Sequence, residues 1–374
     1  MPSAGARPCY SKKIPAGANR RFAEQRRGGD MLGVRDVLAA EQQHQMRRPG
    51  VVQRRRQGGP TGKAKSTPRI SAPSEPPVGM ISSCSTELAI WVIVGFVGEE
   101  NRFVAYHKFG ALSAHFTVCG AGAEIVLLHA GGSSGAQWRK SAACLEDRYR
   151  LIMPDFIGFG ESDDWPPGKP GPSHDDQAEL LASLIAQHCA GPVHMVGHSF
   201  GGAVAVRLAL ANPNLVRRLV LIEPVLTPLL NLAGRPDVFA EYSALANMFI
   251  DNGRAGRDEE AWRNFIDYRN GAGTWAGLSD KARARFLGQT KQIVDTYVSN
   301  LADPTTLEEI GSMAIPTLVL CGENTTEPDR VVTQILRDEL PSCAYKIIPG
   351  AEHMSPLTHP EPVAAAIAAH LAVP

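Results

Sequence analysis

Short apolar runs recur along the chain at 114–118, 124–129, 150–153, 193–197, 218–222, 317–321 and 344–348. Several are continuous rather than alternating, the pattern of strands covered on both faces in a parallel sheet. Between them, apolar and small residues return at helical spacing, as in Ala203–Ala211 and Glu361–Leu371, so strand and helix alternate as in an α/β domain. The texture changes between Leu226 and Ser312. Apolar positions keep a helical period there, breaks fall at Asp251-Asn252-Gly253 and Asn270-Gly271-Ala272-Gly273, and aromatics are common. The stretch at about 226–312 thus predicts a helical lid. Its Trp262, Phe265, Tyr268, Trp275 and Tyr297 either line a pocket or pack within the lid itself. No repeat of solenoid period is present.

Ahead of this pattern the chain reads differently. Its 374 residues carry no net formal charge, yet residues 1–70 hold 16 Lys and Arg against 4 Asp and Glu, so the remainder is acidic. Rich in Arg, Gly, Pro and Gln, this stretch has too little apolar material to offset the entropy of ordering. Residues 1–98 are expected to be a disordered basic extension with a short apolar segment, and 99–374 one folded domain. Such an arm suits nucleic-acid binding, an organellar transit peptide, or a start site placed upstream of Met31 or Met80. No nucleic-acid binding is expected of the folded domain. Leu88–Val97 is apolar for only ten residues, too short to cross a bilayer, so no membrane span is predicted. Seven scattered cysteines without a C-x-x-C pair argue against disulfides or zinc and for a reducing cytoplasm. No metal or cofactor is expected.

The chemistry concentrates at Val193-His194-Met195-Val196-Gly197-His198-Ser199-Phe200-Gly201-Gly202. A buried strand runs into G-x-S-x-G and then into a helix of small residues. Gly197 and Gly201 lack a Cβ, so the chain can turn sharply and the helix can approach the strand. The turn holds Ser199 above a helix N-terminus, whose partial positive charge favours a developing anion. A nucleophilic serine needs a base, an acid to orient that base, and donors for an oxyanion. On such a unit the order is Ser, acid, His, which directs the search for the base to the C-terminus. The loop Pro349-Gly350-Ala351-Glu352-His353-Met354, following a last strand, offers His353. His359 precedes a proline, and His174 and His188 precede the nucleophile, so they fit less well. Phe200 supplies one oxyanion amide. The loop His129-Ala130-Gly131-Gly132-Ser133-Ser134-Gly135 follows an earlier strand, and Gly131 is the choice for the second. Neither G-x-G-x-x-G nor a following Lys-Ser/Thr makes that loop a phosphate cradle.

Taken in order, His129-Ala130-Gly131-Gly132, Pro154-Asp155-Phe156-Ile157-Gly158-Phe159-Gly160-Glu161-Ser162, Gly197-His198-Ser199-Phe200-Gly201-Gly202 and Gly350-Ala351-Glu352-His353 resemble the motif series of α/β-hydrolase fold enzymes, over about residues 103–374. The resemblance implies an α/β fold: a mostly parallel eight-stranded sheet, helices on both faces, and a helical lid inserted between strands six and seven. Ala130 departs from the usual His-Gly of the oxyanion loop, which implies a slight change of loop shape. The acid departs further. Most relatives of this kind place an Asp shortly after strand seven, commonly three residues beyond a glycine. Here Gly322-Glu323-Asn324-Thr325 puts a threonine there, with Glu323 close to the strand and Asp329 four residues further on. A second arrangement in the family, that of haloalkane dehalogenases, puts the acid at the end of strand six. In this chain Glu223 ends the run Arg218–Ile222. Strands joined by one crossover helix tend to be neighbours with their carboxyl ends on one edge, where ligand sites of open α/β sheets lie. Glu223 is the leading choice of acid, Asp329 and Glu323 the alternatives. Without a catalytic role, Glu223 would cap a helix or pair within the lid.

These residues predict a serine hydrolase that cleaves an ester or related acyl bond of a small molecule through an acyl-enzyme. A serine nucleophile argues against dehalogenase and epoxide hydrolase chemistry, where relatives use an aspartate. Hydrolysis of C–C, lactone, thioester or peptide bonds, and perhydrolysis, stay open. The alternative from another class is a non-catalytic ligand-sensing protein on the same fold, which the absent Asp after strand seven favours.

Overall fold

The computed structural model describes residues 102–373; the basic extension and Leu88–Val97 lie outside the described residues. One sheet of eight strands runs in the order β1-β2-β4-β3-β5-β6-β7-β8. The strands are β1 (Arg102–Phe109), β2 (Leu112–Cys119), β3 (Ala123–Leu128), β4 (Tyr149–Pro154), β5 (Val193–His198), β6 (Val216–Ile222), β7 (Thr317–Gly322) and β8 (Cys343–Ile348). β2 pairs antiparallel with β1 and with β4, and every other pairing is parallel. The sheet is therefore mostly parallel. β1 has no counterpart among the apolar runs: it is an edge strand with a single buried residue, and an edge needs no continuous apolar signal.

The continuous runs resolve into two interleaved patterns of period two. Ile125, Leu127, Leu151 and Val220 belong to one apolar layer, with Trp138 and with Val363 and Ile367 of the C-terminal helix. Val126, Leu128, Ile152 and Leu221 belong to the other, with Leu181, Val204 and the helices of the insertion. The layering helices are α1 (Arg139–Ala143), α2 (His174–His188), α3 (Phe200–Ala211), α10 (Glu327–Glu339), α11 (Ser355–Thr358) and α12 (Pro360–Leu371). Ser173 starts α2 through a capping box with Asp176, which satisfies two of the amides that a helix start leaves open.

Between β6 and β7 run α4 (Pro228–Leu232), α5 (Pro236–Arg254), α6 (Asp258–Asn270), α7 (Asp280–Leu287), α8 (Thr290–Leu301) and α9 (Leu307–Ser312). The break expected at Asp251-Asn252-Gly253 lies instead within the last turn of α5. Gly253 serves packing there: a Cβ would come 2.6 Å from Val294 Cγ2 of α8. The second break does end α6, where Gly271 has φ 94°. No helix among the described residues is long and apolar enough to cross a membrane.

Candidate active site

β5 ends at His198 and α3 begins at Phe200, so Ser199 alone makes the turn. Its torsions are φ 55° and ψ −118°. Ser199 and Glu223, at φ 42°, are the only non-glycine residues with positive φ among those described, a conformation costing of order 1–3 kcal/mol each. The flanking glycines permit the close approach that holds the turn. A Cβ on Gly201 would lie 2.5 Å from the His129 carbonyl oxygen, and one on Gly202 would lie 2.7 Å from Pro224 Cβ. The Ser199 N–H donates to the Ile222 carbonyl at 3.0 Å and the Val225 N–H to the Ser199 carbonyl at 3.2 Å. The turn is thereby bonded to the end of β6, from which Glu223 emerges.

His353 stands in the loop after β8, with Nε2 3.0 Å from Ser199 Oγ and Nδ1 2.7 Å from Glu223 Oε2. Glu223 is fully buried. Its Oε1 accepts from the Gly322 N–H at 2.6 Å and its Oε2 from the Thr325 hydroxyl at 2.9 Å. With a carboxyl oxygen against Nδ1, the ring proton belongs there and Nε2 is left to accept from the serine. Thr325, at the position that the family resemblance gives to an aspartate, thus donates to a carboxyl brought from the neighbouring strand. Glu323 instead accepts from the Gly350 N–H at 2.8 Å, bracing the histidine loop. His198 braces it from the other side, donating from Nε2 to the His353 carbonyl at 2.9 Å. Burial first, and the His353 charge second, push the His198 pKa well below its usual range, so this ring is neutral.

Asp329 approaches the same nitrogen less closely, its Oδ2 3.5 Å from His353 Nδ1. It accepts from the Thr326 hydroxyl at 2.6 Å and is ion-paired with Arg269 of α6. Burial works to raise its pKa, but the Arg269 charge, with His353 and Thr326 adding to it, brings the net shift downward. Ligand atoms of Glu223, Asp329 and His353 lie within 4.8 Å of one another, the one such group among the described residues. The surroundings suit hydrogen-bonded carboxylates better than a cation. N–H and O–H donors occupy both oxygens of Glu223, and a guanidinium meets Asp329 Oδ2.

Gly131, Phe200, Ser199 and His353 all border one cavity of about 160 Å³. Phe200 is the first residue of α3, so its N–H has no partner within the helix. The Ala130 N–H beside Gly131 is taken by Gln137 Oε1 at 3.1 Å. His129 locks this loop: the Phe156 N–H donates to its Nε2 at 3.1 Å, which leaves the proton on Nδ1, 2.7 Å from the Ala130 carbonyl. Burial outweighs the Asp155 charge and lowers the His129 pKa. Asp155 ties the loop to β4, accepting from the Gly135 N–H at 2.6 Å and the Glu161 N–H at 2.9 Å. Sequence reading of single residues had no means to find these braces, although His129, Asp155 and His198 all sit inside the motifs. Of the five insertion aromatics named from the sequence, Trp262, Phe265 and Tyr297 line the cavity, joined by Tyr242 and Phe286. Tyr268 instead donates to Glu241 at 2.6 Å, and Trp275 is buried beside Phe286 with ring centroids 6.2 Å apart.

Comparisons with known proteins agree with this architecture. The chain is 31% identical over 111 residues to pimeloyl-[acyl-carrier protein] methyl ester esterase of Vibrio cholerae, covering 30% of this chain and 40% of that protein. It is 34% identical over 128 residues to 2-hydroxy-6-oxononadienedioate/2-hydroxy-6-oxononatrienedioate hydrolase of Escherichia coli, covering 33% and 44%. The chain thus spans less than half the length of these curated relatives. Among solved structures, a thermophilic esterase from Thermogutta terrifontis shares the fold at TM-score 0.55 and 22% identity, over 72% of this chain and 97% of that one. An alpha/beta hydrolase enzyme from a Medee basin deep-sea metagenome library does so at TM-score 0.60 and 15% identity, over 72% and 98%. Residues 125–366, more than half of the sequence, match the model of one family, and the chain belongs to it: the alpha/beta hydrolase family.

Proposed function

We propose that this hydrolase cleaves an ester or related acyl bond of a small, largely apolar compound, with Ser199 as nucleophile, His353 as base and Glu223 as the acid that orients it. The observation that carries the reading is the hydrogen-bonded row Ser199–His353–Glu223, at 3.0 and 2.7 Å. Ser199 Oγ attacks the acyl carbon while its proton passes to His353 Nε2. The tetrahedral oxyanion is met by the Gly131 and Phe200 amides, and the Glu223 carboxylate offsets the imidazolium charge. The imidazolium then gives its proton to the departing alcohol, leaving an acyl-enzyme. A water, deprotonated by the same nitrogen, releases the acid and restores the serine. The aromatic and aliphatic lining of the cavity, including Trp262, Phe265 and Ile293, supports an apolar group on the substrate. The helices between β6 and β7 act as the lid that supplies it.

A fluorophosphonate probe tests the nucleophile. It should label the wild type covalently, with labelling and turnover of p-nitrophenyl esters abolished in Ser199→Ala. Folded protein that stays unlabelled would favour the non-catalytic reading. A second reading, hydrolysis of a 2-hydroxy-6-oxo acid, is favoured by the similarity to the Escherichia coli hydrolase named for such compounds. Turnover of such an acid at a higher kcat/KM than any ester in a graded panel would select it.

A further inference from the structure

Arg269 belongs to the insertion and Asp329 to the first turn of α10, yet their ion pair stands against the base. We propose that the two are positioning residues for His353: the guanidinium delivered by the insertion neutralises a second carboxylate that faces the same ring nitrogen as Glu223. This rests on the reading of His353 as the general base.

Nδ1 carries one proton, and Glu223 accepts it at 2.7 Å. Asp329, at 3.5 Å, is too far to compete for that hydrogen bond but near enough for its charge to be felt. An unopposed anion at that range stabilises imidazolium and takes the base out of service at neutral pH. The side chains of Arg269 and Asp329 are only 10% and 3% exposed, so water screens the pair little. On its other sides the ring meets Ser199 and the neutral His198 from the end of β5, with Glu352 beside it in its own loop. Around Arg269 stand Tyr242 of α5, Tyr268 of α6 and Tyr297 of α8, all with pKa raised by burial first and hence uncharged. Arg285 of α7 borders the same cavity. Among the described residues, Arg269 is the one side chain of fixed positive charge within ion-pair distance of Asp329. Because α6 also brings Trp262 and Phe265 to the cavity wall, one helix both covers the substrate and supplies the counter-charge.

The test follows the rate of Ser199 labelling by a fluorophosphonate against pH in the full chain, for wild type, Arg269→Met, Asp329→Asn and the double variant. The midpoint of the acid limb should rise by roughly one to two pH units in Arg269→Met, where the anion is left unopposed. It should fall in Asp329→Asn, where the cation is left unopposed, and return to the wild-type position in the double variant. A pair that merely holds α6 in place would lower melting temperature and overall rate without moving the midpoint, and that outcome overturns the inference. If Arg269→Met does not fold, Asp329→Asn decides alone: a downward shift supports the inference and an unmoved midpoint overturns it. Unmoved midpoints in variants that still label at Ser199 leave the hydrolase reading intact, whereas a folded wild type that is never labelled overturns both.

Discussion

Replacing Glu223 with glutamine exchanges one oxygen for an NH₂ group in a fully buried side chain, and the surroundings dictate which oxygen survives. The Gly322 N–H, 2.6 Å from Oε1, can only donate, so the amide oxygen must stay there. The NH₂ then occupies the place of Oε2, facing the Thr325 hydroxyl at 2.9 Å and His353 Nδ1 at 2.7 Å. Thr325 can rotate and accept. The ring nitrogen cannot donate to an NH₂, so the imidazole adopts the other tautomer and presents Nε2–H to Ser199, where no proton can be received. In a serine protease the corresponding change costs about 10⁴ in kcat. Here Asp329, 3.5 Å from the same nitrogen, offers a partial substitute, so we expect a loss of about 10² to 10⁴, or roughly 2.7–5.4 kcal/mol at 1.36 kcal/mol per decade. Stability should change by only about 1 kcal/mol, since Gly322 and Thr325 keep partners. Steady-state hydrolysis of p-nitrophenyl butyrate, with KM recorded separately, gives the number. A fall in kcat of less than tenfold in a folded Glu223→Gln variant refutes the assignment. If activity then vanishes on adding Asp329→Asn, Asp329 is the acid.

Two further expectations concern the frame of the site. Gly201→Ala puts a Cβ 2.5 Å from one backbone carbonyl oxygen and 2.7 Å from another, neither of which can rotate away. It should cost about 3 kcal/mol and slow Ser199 labelling at least tenfold; an unchanged melting temperature would contradict the geometry. Burial, with His107 and Arg150 nearby, lowers the His188 pKa from 6.5 to about 4. As pH falls the unfolded chain takes up this proton first, so stability is lost from about pH 6.5 downward until the folded ring titrates near 4. The slope of melting temperature against pH over that window should flatten in His188→Gln, and an unaltered slope would show that the ring is not held neutral.

What could be read in advance follows the range of the forces involved. The strand pattern is local, so seven of the eight strands announce themselves, while β1, half-exposed on an edge, does not. Ser199 and His353 stand out as candidates because the turn and the loop that carry them have local glycine chemistry. Glu223 had only its place at a strand end to mark it. Its environment comes from Gly322 and Thr325, 99 and 102 residues downstream. Threonine at the site expected of an aspartate was the one available signal, since a hydroxyl there can serve a carboxyl arriving from elsewhere. The pairing of Asp329 with Arg269 spans 60 residues and two elements that no periodicity relates. Which aromatics reach the cavity is likewise a matter of helix rotation: Phe265 does and Tyr268, three residues on, does not.

The torsions of Ser199 carry a consequence for how such a chain changes over time. At φ 55° and ψ −118° the backbone favours glycine, and the penalty of about 1–3 kcal/mol is a sizeable share of a domain stability of about 5–15 kcal/mol. Among the described residues Ser199 Oγ makes its side-chain hydrogen bond to His353, so glycine at this position would forfeit little and relax the strain. Under the proposed role of Ser199 as nucleophile, folding and chemistry pull this residue in opposite directions. A lineage freed from the proposed turnover would drift toward a steadier domain with the same sheet and the same cavity, the Ser199 hydroxyl gone.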